Sequence, residues 1–344
     1  MARTKRIFIS DIHLTSQERY DDEQYSSWYD PDIHGPRLLG FLDNYVLANA
    51  GGIKDVVLLG DIFNTWMCPC DMEPPTYAQI FQDNRIVMDK FKELTDNGIN
   101  VFYSRGNHDF DLESGEIEDV FKKNGNENER FRVIGSYLSG RIHAEHGNEY
   151  DLFNRPDRQT DPAFARPIGY FISRLVASAG GDRYATLDMA GYLDDLLEAA
   201  VTSQNIYTSI IEALAERAGL DENARILMPN SRELTISQVK ARYATLDYSK
   251  RELLANLYER RYLDGTADRL CKRFEYNVVV FGHTHKAKID KDFFLVDDRI
   301  YANTGSWCKD NAYCVEINKT SRTHVRLYRI NDDGTVGHRT RKTV

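Results

Sequence analysis

The sequence predicts an α/β protein: a layered sheet domain interrupted by a long helical insertion. Three observations predict it. Short unbroken apolar runs alternate with helical patterning over the first hundred residues, as in sheets buried on both faces. Helical periodicity then displaces strand signals from 151 to 273. Strand-like runs resume at Asn277 and continue to Ile330.

Residues 6–10, 55–59 and 99–103 read as buried strands. Between the last two, residues 76–97 carry a helical pattern that stops at Gly98. In the insertion, Ile168, Phe171, Leu175 and Val176 share one helical face, as do Leu193, Leu196, Leu197 and Val201. A hexapeptide, Arg-Tyr-Ala-Thr-Leu-Asp, occurs at 183–188 and again at 242–247. The flanks differ, so shared helix-start chemistry explains it better than a duplicated unit. Strands are expected again at 277–281, 300–303, 313–317 and 323–330. The expected organisation is a sheet domain of residues 1–150 and 274–330, a helical insertion of 151–273 and a flexible polar tail of 331–344.

The chain has 344 residues, 42% of them hydrophobic, enough for a large core. A net charge of -9 argues against binding nucleic acid by bulk attraction to phosphate. Five scattered cysteines do not form a disulfide framework, so a reducing, cytoplasmic setting is expected. Cys68-Pro69-Cys70 lacks metal-site spacing and reads as a pair of free thiols. The basic start, residues 1–6, has no long apolar stretch after it, so no signal peptide is expected. No apolar run approaches ~18 residues, so no transmembrane segment is expected either.

Five segments place metal-ligand side chains directly after strand-like runs. They are Asp11-Ile12-His13, Gly60-Asp61, Gly106-Asn107-His108-Asp109, His146-Gly147-Asn148 and Gly282-His283-Thr284-His285. In an extended chain, residues i and i+2 face one side, so Asp11 with His13, and His283 with His285, should each aim two ligands at one point. Ligand crevices of open α/β sheets lie at the carboxyl ends of strands. A lone histidine at such a place is usually a satisfied polar residue. Here five of nine histidines fall in these segments, whereas His34, His143, His324 and His338 lie outside and read as structural or surface groups. The set supplies enough nitrogen and oxygen donors for two divalent metals, and a carboxylate such as Asp61 can bridge them.

This ordered set resembles the calcineurin-like metallophosphoesterase family, over about residues 1–150 and 274–330. The resemblance implies a four-layer α/β/β/α sandwich with a dinuclear site. It implies one metal held by Asp11, His13, Asp61 and His285, and a second by Asp61, Asn107, His146 and His283. His108 would sit over the reacting phosphate as general acid or charge stabiliser, with Asp109 orienting it. A hydroxide bridging the two ions would attack phosphorus in line. Mn²⁺ is the expected metal, with Fe²⁺, Zn²⁺ or Ni²⁺ also compatible with mixed nitrogen and oxygen ligands.

The substrate is expected to be a phosphate ester or anhydride, of small-molecule or nucleotide type. Ser10-Asp11-Ile12-His13-Leu14, Gly60-Asp61-Ile62-Phe63 and the late insertion resemble the UDP-diacylglucosamine pyrophosphatase branch. That branch carries arginine where His108 stands, its His-Gly-Asp is here His146-Gly147-Asn148, and its insertion is shorter. A nuclease or cyclic-nucleotide phosphodiesterase is the alternative, and a metal-free binding scaffold a third class. The insertion leaves the sheet after His146 and returns before His283, a placement suited to a lid. The competing expectation is a homo-oligomer built through it. Of its 17 basic residues 14 are arginine, a preference suited to phosphate. Arg155, Arg158 and Arg166, soon after His146, are the expected substrate contacts.

Overall fold

The computed structural model describes residues 3–21, 27–156, 166–179, 205–245, 263–291, 298–308 and 311–344. In chain order the described strands are β1 (Lys5–Ile9), β2 (Ile53–Leu59), β3 (Asn100–Ser104), β4 (Phe131–Ile134), β5 (Tyr137–Ser139), β6 (Ile142–Ala144), β7 (Arg225–Met228) and β8 (Arg232–Thr235). They continue with β9 (Val278–Phe281), β10 (Lys288–Asp290), β11 (Ile300–Asn303), β12 (Ala312–Lys319), β13 (Thr323–Ile330) and β14 (Val336–Thr343). The described helices are α1 (Gln17–Tyr20), α2 (His34–Phe41), α3 (Tyr77–Asp83), α4 (Arg85–Asp96) and α5 (Ser114–Phe121). After these come α6 (Ile168–Ser178), α7 (Ile206–Arg217), α8 (Ile236–Ala244) and α9 (Asp264–Phe274).

Two sheets stack between helices, in four layers. The first has seven strands in the order β14-β13-β12-β1-β2-β3-β4, and the second has five in the order β10-β11-β9-β6-β5. Strands β1 to β4 run parallel, and so do β6, β9 and β11. The period-two pleat assigns each side chain to a layer. From β1, Ile7 and Ile9 face the helices while Phe8 faces the second sheet. From β2, Val56 and Leu58 join the helix-side core with Phe41, Phe91 and Phe121, whereas Val57 and Leu59 meet Val278, Val280, Ile300 and Ala302 between the sheets. On the far side Val279, Phe281 and Tyr301 pack on Ala267 and Cys271 of α9. Each such buried aliphatic or aromatic side chain contributes about 1.5–3 kcal/mol.

A separate core joins described residues of 151–273 to Trp66 and Cys70. Helices α6, α7 and α8 and the β7–β8 hairpin pack together through Phe171, Leu175, Ile210, Leu214, Ile226 and Val239. Ile168, Phe171, Leu175 and Val176 are all buried there. The second expected stripe, Leu193, Leu196, Leu197 and Val201, lies outside the described residues, as does the hexapeptide at 183–188.

Three sequence expectations need correction. The single helix expected over 76–97 is two helices meeting at Asn84. Asn84 leaves the helical conformation because its side-chain amide donates to Thr15 O and Ile80 O, at 2.6 and 2.8 Å. Within 331–344, expected as a fraying tail, Val336–Thr343 forms β14, which pairs antiparallel with β13 from His324 to Ile330. Backbone ladder bonds hold it, and its Arg339, Arg341 and Lys342 suit an edge strand, which charge protects from further pairing. The insertion, expected as a helical block with few strand signals, also contains the β7–β8 hairpin. Among the described residues, no helix is long and apolar enough to cross a membrane.

Candidate metal centre

All the ligand-bearing segments emerge from parallel strands at one edge of the two sheets. Asp11 and His13 follow β1, Asp61 follows β2, and Asn107 and His108 follow β3; His146 follows β6, and His283 and His285 follow β9. Parallel strands end on the same side, so the topology brings the five segments together.

Local backbone conformation departs from the extended chain expected at the two i, i+2 pairs. Asp11, His13, Asp61, His283 and His285 all have positive φ, between 50° and 66°. Such residues cost of order 1–3 kcal/mol each when not glycine. Convergence of Asp11 with His13, and of His283 with His285, thus comes from left-handed turns beyond the strand ends and not from the pleat. Neighbouring glycines let the loops close on one another. A Cβ on Gly60, itself at φ +83°, would lie 2.6 Å from the His146 ring. A Cβ on Gly106 would strike the Asp61 carboxylate, and one on Gly282 would lie 2.7 Å from Asp11 Oδ2.

At one position His13 Nε2 and His285 Nε2 face each other at 3.1 Å. His285 Nε2 also lies 3.1 Å from Asp11 Oδ1. At the neighbouring position Asp61, His146 and His283 present donor atoms within 4.8 Å of one another. His146 Nδ1 donates to Leu59 O at 2.9 Å, which turns Nε2 toward Asp61 Oδ2, 3.2 Å away. His283 Nε2 meets Asp151 Oδ2 at 3.1 Å, leaving Nδ1 to face inward. Asn107 Nδ2 lies 3.5 Å from Asn154 Oδ1, which leaves the Asn107 carbonyl oxygen as its inward group. Outer partners of this kind select the tautomer of a metal-binding imidazole.

The residues fit a pair of divalent cations. Asp11 Oδ1, Asn107 Oδ1, His146 Nε2 and His283 Nδ1 are buried without a hydrogen-bond partner. Buried polar atoms are rarely left so, and a cation satisfies lone pairs that no protein donor reaches. The electrostatics agree. Burial pushes the His146 imidazolium down, but Asp61 and Asp11 outweigh it and raise its pKa to about 10. Burial opposes ionisation of Asp61, yet His146 and His108 hold its carboxyl well below the usual range. The site's carboxylates call for positive charge.

His108 is buried against two indoles. Trp66 stacks on its ring at 4.1 Å between centroids, and Trp28 lies 5.2 Å away. Asn64 Oδ1 accepts from Trp66 N at 2.9 Å and lies 3.0 Å from His108 Nδ1. Burial lowers the His108 pKa to about 4, aided by His285 and His146 and opposed by Asp61. The orienting partner of His108 is therefore Asn64, not Asp109 as expected. The Asp109 carboxylate is occupied by the backbone N–H groups of Gly106 and Ile62, at 2.6 and 2.9 Å, and more distantly by those of Asp61 and Phe63. It braces the Asp61 loop against the Asn107 loop. Burial and the Asp61 carboxylate raise its pKa to about 7.

Of the three arginines expected to contact substrate, two are described. Arg155 is exposed, and Arg158 lies outside the described residues. Arg166 is buried, pairs through Nη2 with Asp111, and lies over the Tyr170 ring at 4.5 Å. It ties the insertion to the segment after Asp109. A cleft of about 580 Å³ opens beside His146, lined also by Arg105, Phe110, Ser136, Glu145 and Asn148. Two histidines outside the motifs have other partners: His34 Nδ1 accepts from Asp30 N, and His143 pairs with Glu145. Sequence reasoning missed Asn64, Trp66, Asp151 and Asn154, which carry no motif of their own. Asp151 follows His146 by five residues, and only its contact with His283 distinguishes it from any other carboxylate.

A family model described as calcineurin-like phosphoesterase matches residues 4–187, more than half of the chain. The UDP-2,3-diacylglucosamine hydrolase of Neisseria meningitidis serogroup B is 27% identical over 104 residues, 30% of this chain and 33% of that protein. A serogroup C counterpart is 28% identical over the same share of each. The chain thus aligns with about a third of the length of these curated relatives. Among solved structures, Vps29 from Cryptosporidium parvum covers 99% of this chain and 97% of its own, at 11% identity and a TM-score of 0.37. Purple acid phosphatase PPD1 from yellow lupin covers 98% and 53%, at 9% identity and a TM-score of 0.36. Likenesses at these scores carry no weight by themselves.

Proposed function

This chain belongs to the calcineurin-like phosphoesterase family, and from that premise we propose that it is a dinuclear metal-dependent hydrolase of phosphate esters or anhydrides. The observation that carries this is that Asp61 lies within 4.8 Å of donor atoms of His146 and His283 on one side and of His13 on the other, beside the buried, unpartnered lone-pair atoms of Asp11, Asn107, His146 and His283. Asp11, His13, Asp61 and His285 would hold one ion, and Asp61, Asn107, His146 and His283 the other. When bound, two such ions supply Lewis acidity toward the phosphoryl group and an activated water for in-line attack.

The chain's own residues do the rest. Asn64 engages Nδ1 of His108, so Nε2 is the ring nitrogen left for substrate. With Nδ1–H held there, Nε2 stabilises charge developing on a phosphoryl oxygen or protonates a leaving group only in the imidazolium form, which the negative charge of a bound phosphate favours against burial. Trp66 and Trp28 confine the ring and keep water from it. Asp109 holds the Asp61 and Asn107 loops at a constant separation. The names of the Neisseria relatives favour a nucleotide-linked pyrophosphate as the substrate class.

The insertion serves as a lid on this reading. Its α6 presents Tyr170 edge-on to Trp66 at 5.8 Å, and Trp66 stacks on His108, so the helical core reaches the reacting centre through one ring. The test uses the purified chain with Mn²⁺, Fe²⁺, Zn²⁺ or Ni²⁺, offered nitrophenyl phosphate, its bis-ester, a UDP-sugar pyrophosphate and single-stranded DNA. Hydrolysis of the ester or the pyrophosphate is expected. Cleavage confined to DNA would favour the nuclease alternative, and inactivity with every metal would overturn the assignment. Tyr170→Ala should raise KM for the pyrophosphate and spare the nitrophenyl ester; an assembly role predicts a changed oligomeric state instead.

A further inference from the structure

Cys308 stands beside the first metal position. Its sulfur lies within 4.8 Å of the ligand nitrogens of both His13 and His285, and its residue is buried. The other four cysteines are buried too, but none joins such a group among the described residues. No sequence motif marks Cys308, because the loop that carries it follows a strand with no histidine or carboxylate at its end.

The placement is built by the fold. Strand β11 is parallel to β9, so its carboxyl end opens on the same edge as the ligand loops. The segment from Asn303 to Cys308 is then stitched to both neighbours. Asn303 Nδ2 donates to Gly282 O at 2.7 Å, and Thr304 N donates to Phe281 O at 2.9 Å. Trp307 N donates to Asp11 O at 2.9 Å, and Trp307 itself is fully buried in the helix-side core. The residue just before Cys308 is thus bonded to the residue proposed as a ligand of the first ion.

We propose that Cys308 is a sulfur ligand at the position shared by His13 and His285, and that it biases this position toward zinc or iron over manganese or magnesium. The inference rests on the metallophosphoesterase reading above and names the metal preference of that same site. Donor atoms that share one ion, with bonds of about 2.0–2.3 Å, lie no more than roughly 4.5 Å apart. A small rotation of the thiol closes the set. The S–H proton passes to solvent as the metal–sulfur bond forms, and the thiolate is the softest donor of the group. A site of carboxylate and imidazole alone lacks that selectivity.

The full chain, freed of metal with a chelator, is titrated with Co²⁺ and followed by absorption. A thiolate-to-cobalt charge-transfer band in the near ultraviolet is expected. C308A should lose that band and keep the weaker visible bands of nitrogen- and oxygen-bound cobalt. In competition, C308A should lose zinc affinity relative to manganese by about tenfold or more, the size that loss of even an outer partner produces. C308S guards against a folding defect in the alanine variant, and the wild-type spectrum is decisive without either. Cobalt uptake with no charge-transfer band, or a band that persists in C308A, would overturn this inference alone. Failure to bind cobalt at all would overturn the phosphoesterase reading and this inference with it.

Discussion

Asp151 Oδ2 lies 3.1 Å from Nε2 of His283, with the Asp151 side chain fully buried. The carboxylate also accepts from Phe153 N at 2.9 Å and from Asn154 Nδ2 at 2.7 Å. Asn154 in turn reaches Asn107. The first residues of the insertion therefore position two residues proposed to share one ion, His283 and Asn107. The root of the insertion thus touches two residues proposed as metal ligands.

Asp151→Ala should weaken the second metal by about 10–100-fold, the usual cost of removing an outer partner, while the first metal stays. Calorimetric titration with Mn²⁺ would show one tight and one weakened site. Asp151→Glu should recover part of the affinity. Two unaltered sites in the alanine variant would dismiss the positioning role.

Asp61→Asn should damage both sites together, because its carboxylate borders both groups of donors. His285→Ala should weaken one. Elemental analysis of each variant gives the comparison: close to two ions per wild-type chain, about one for His285→Ala, fewer for Asp61→Asn. Equal losses in the two variants would contradict the bridging assignment.

His108→Ala should keep both metals and lose turnover by about 10²–10⁴-fold. A smaller loss with a nitrophenyl leaving group than with an alkyl one would identify leaving-group protonation as its task. An equal loss would identify charge stabilisation. Asn64→Ala should lower kcat more than it raises KM, because it frees the His108 ring without removing it. Loss of metal from either variant would count against these roles.

Gly60→Ala should be destabilising by about 2 kcal/mol or more. It adds a Cβ at a φ of +83° and drives it into the His146 ring. Thermal unfolding of the metal-free chain would report the backbone cost, and metal titration the displacement of His146. A variant with wild-type Tm and two intact sites would show that the loop relaxes freely.

Much was legible in the sequence because its signals are local. Apolar runs such as those of β1, β2 and β9 announce buried strands, since only a sheet covered on both faces needs them. The candidate ligands Asp11, His13, Asp61, Asn107, His146, His283 and His285 could be named because each stands within a few residues of such a run. The sequence by itself thus determined the sheet framework and the inventory of candidate donors. Other features depend on partners far along the chain, and only the tertiary structure decided them. Which nitrogen of His146 faces inward is set by Leu59, and which nitrogen of His283 by Asp151. Asn64, not the adjacent Asp109, meets His108, because the backbone N–H groups of two loops take up the Asp109 carboxylate first. Cys308 reaches the site only because β11 lies beside β9. Segment Val336–Thr343 becomes a strand only because β13 offers an open edge. Hydrogen bonds and coordination are directional and short-ranged, so they are specified by which loops meet and not by the composition of either loop.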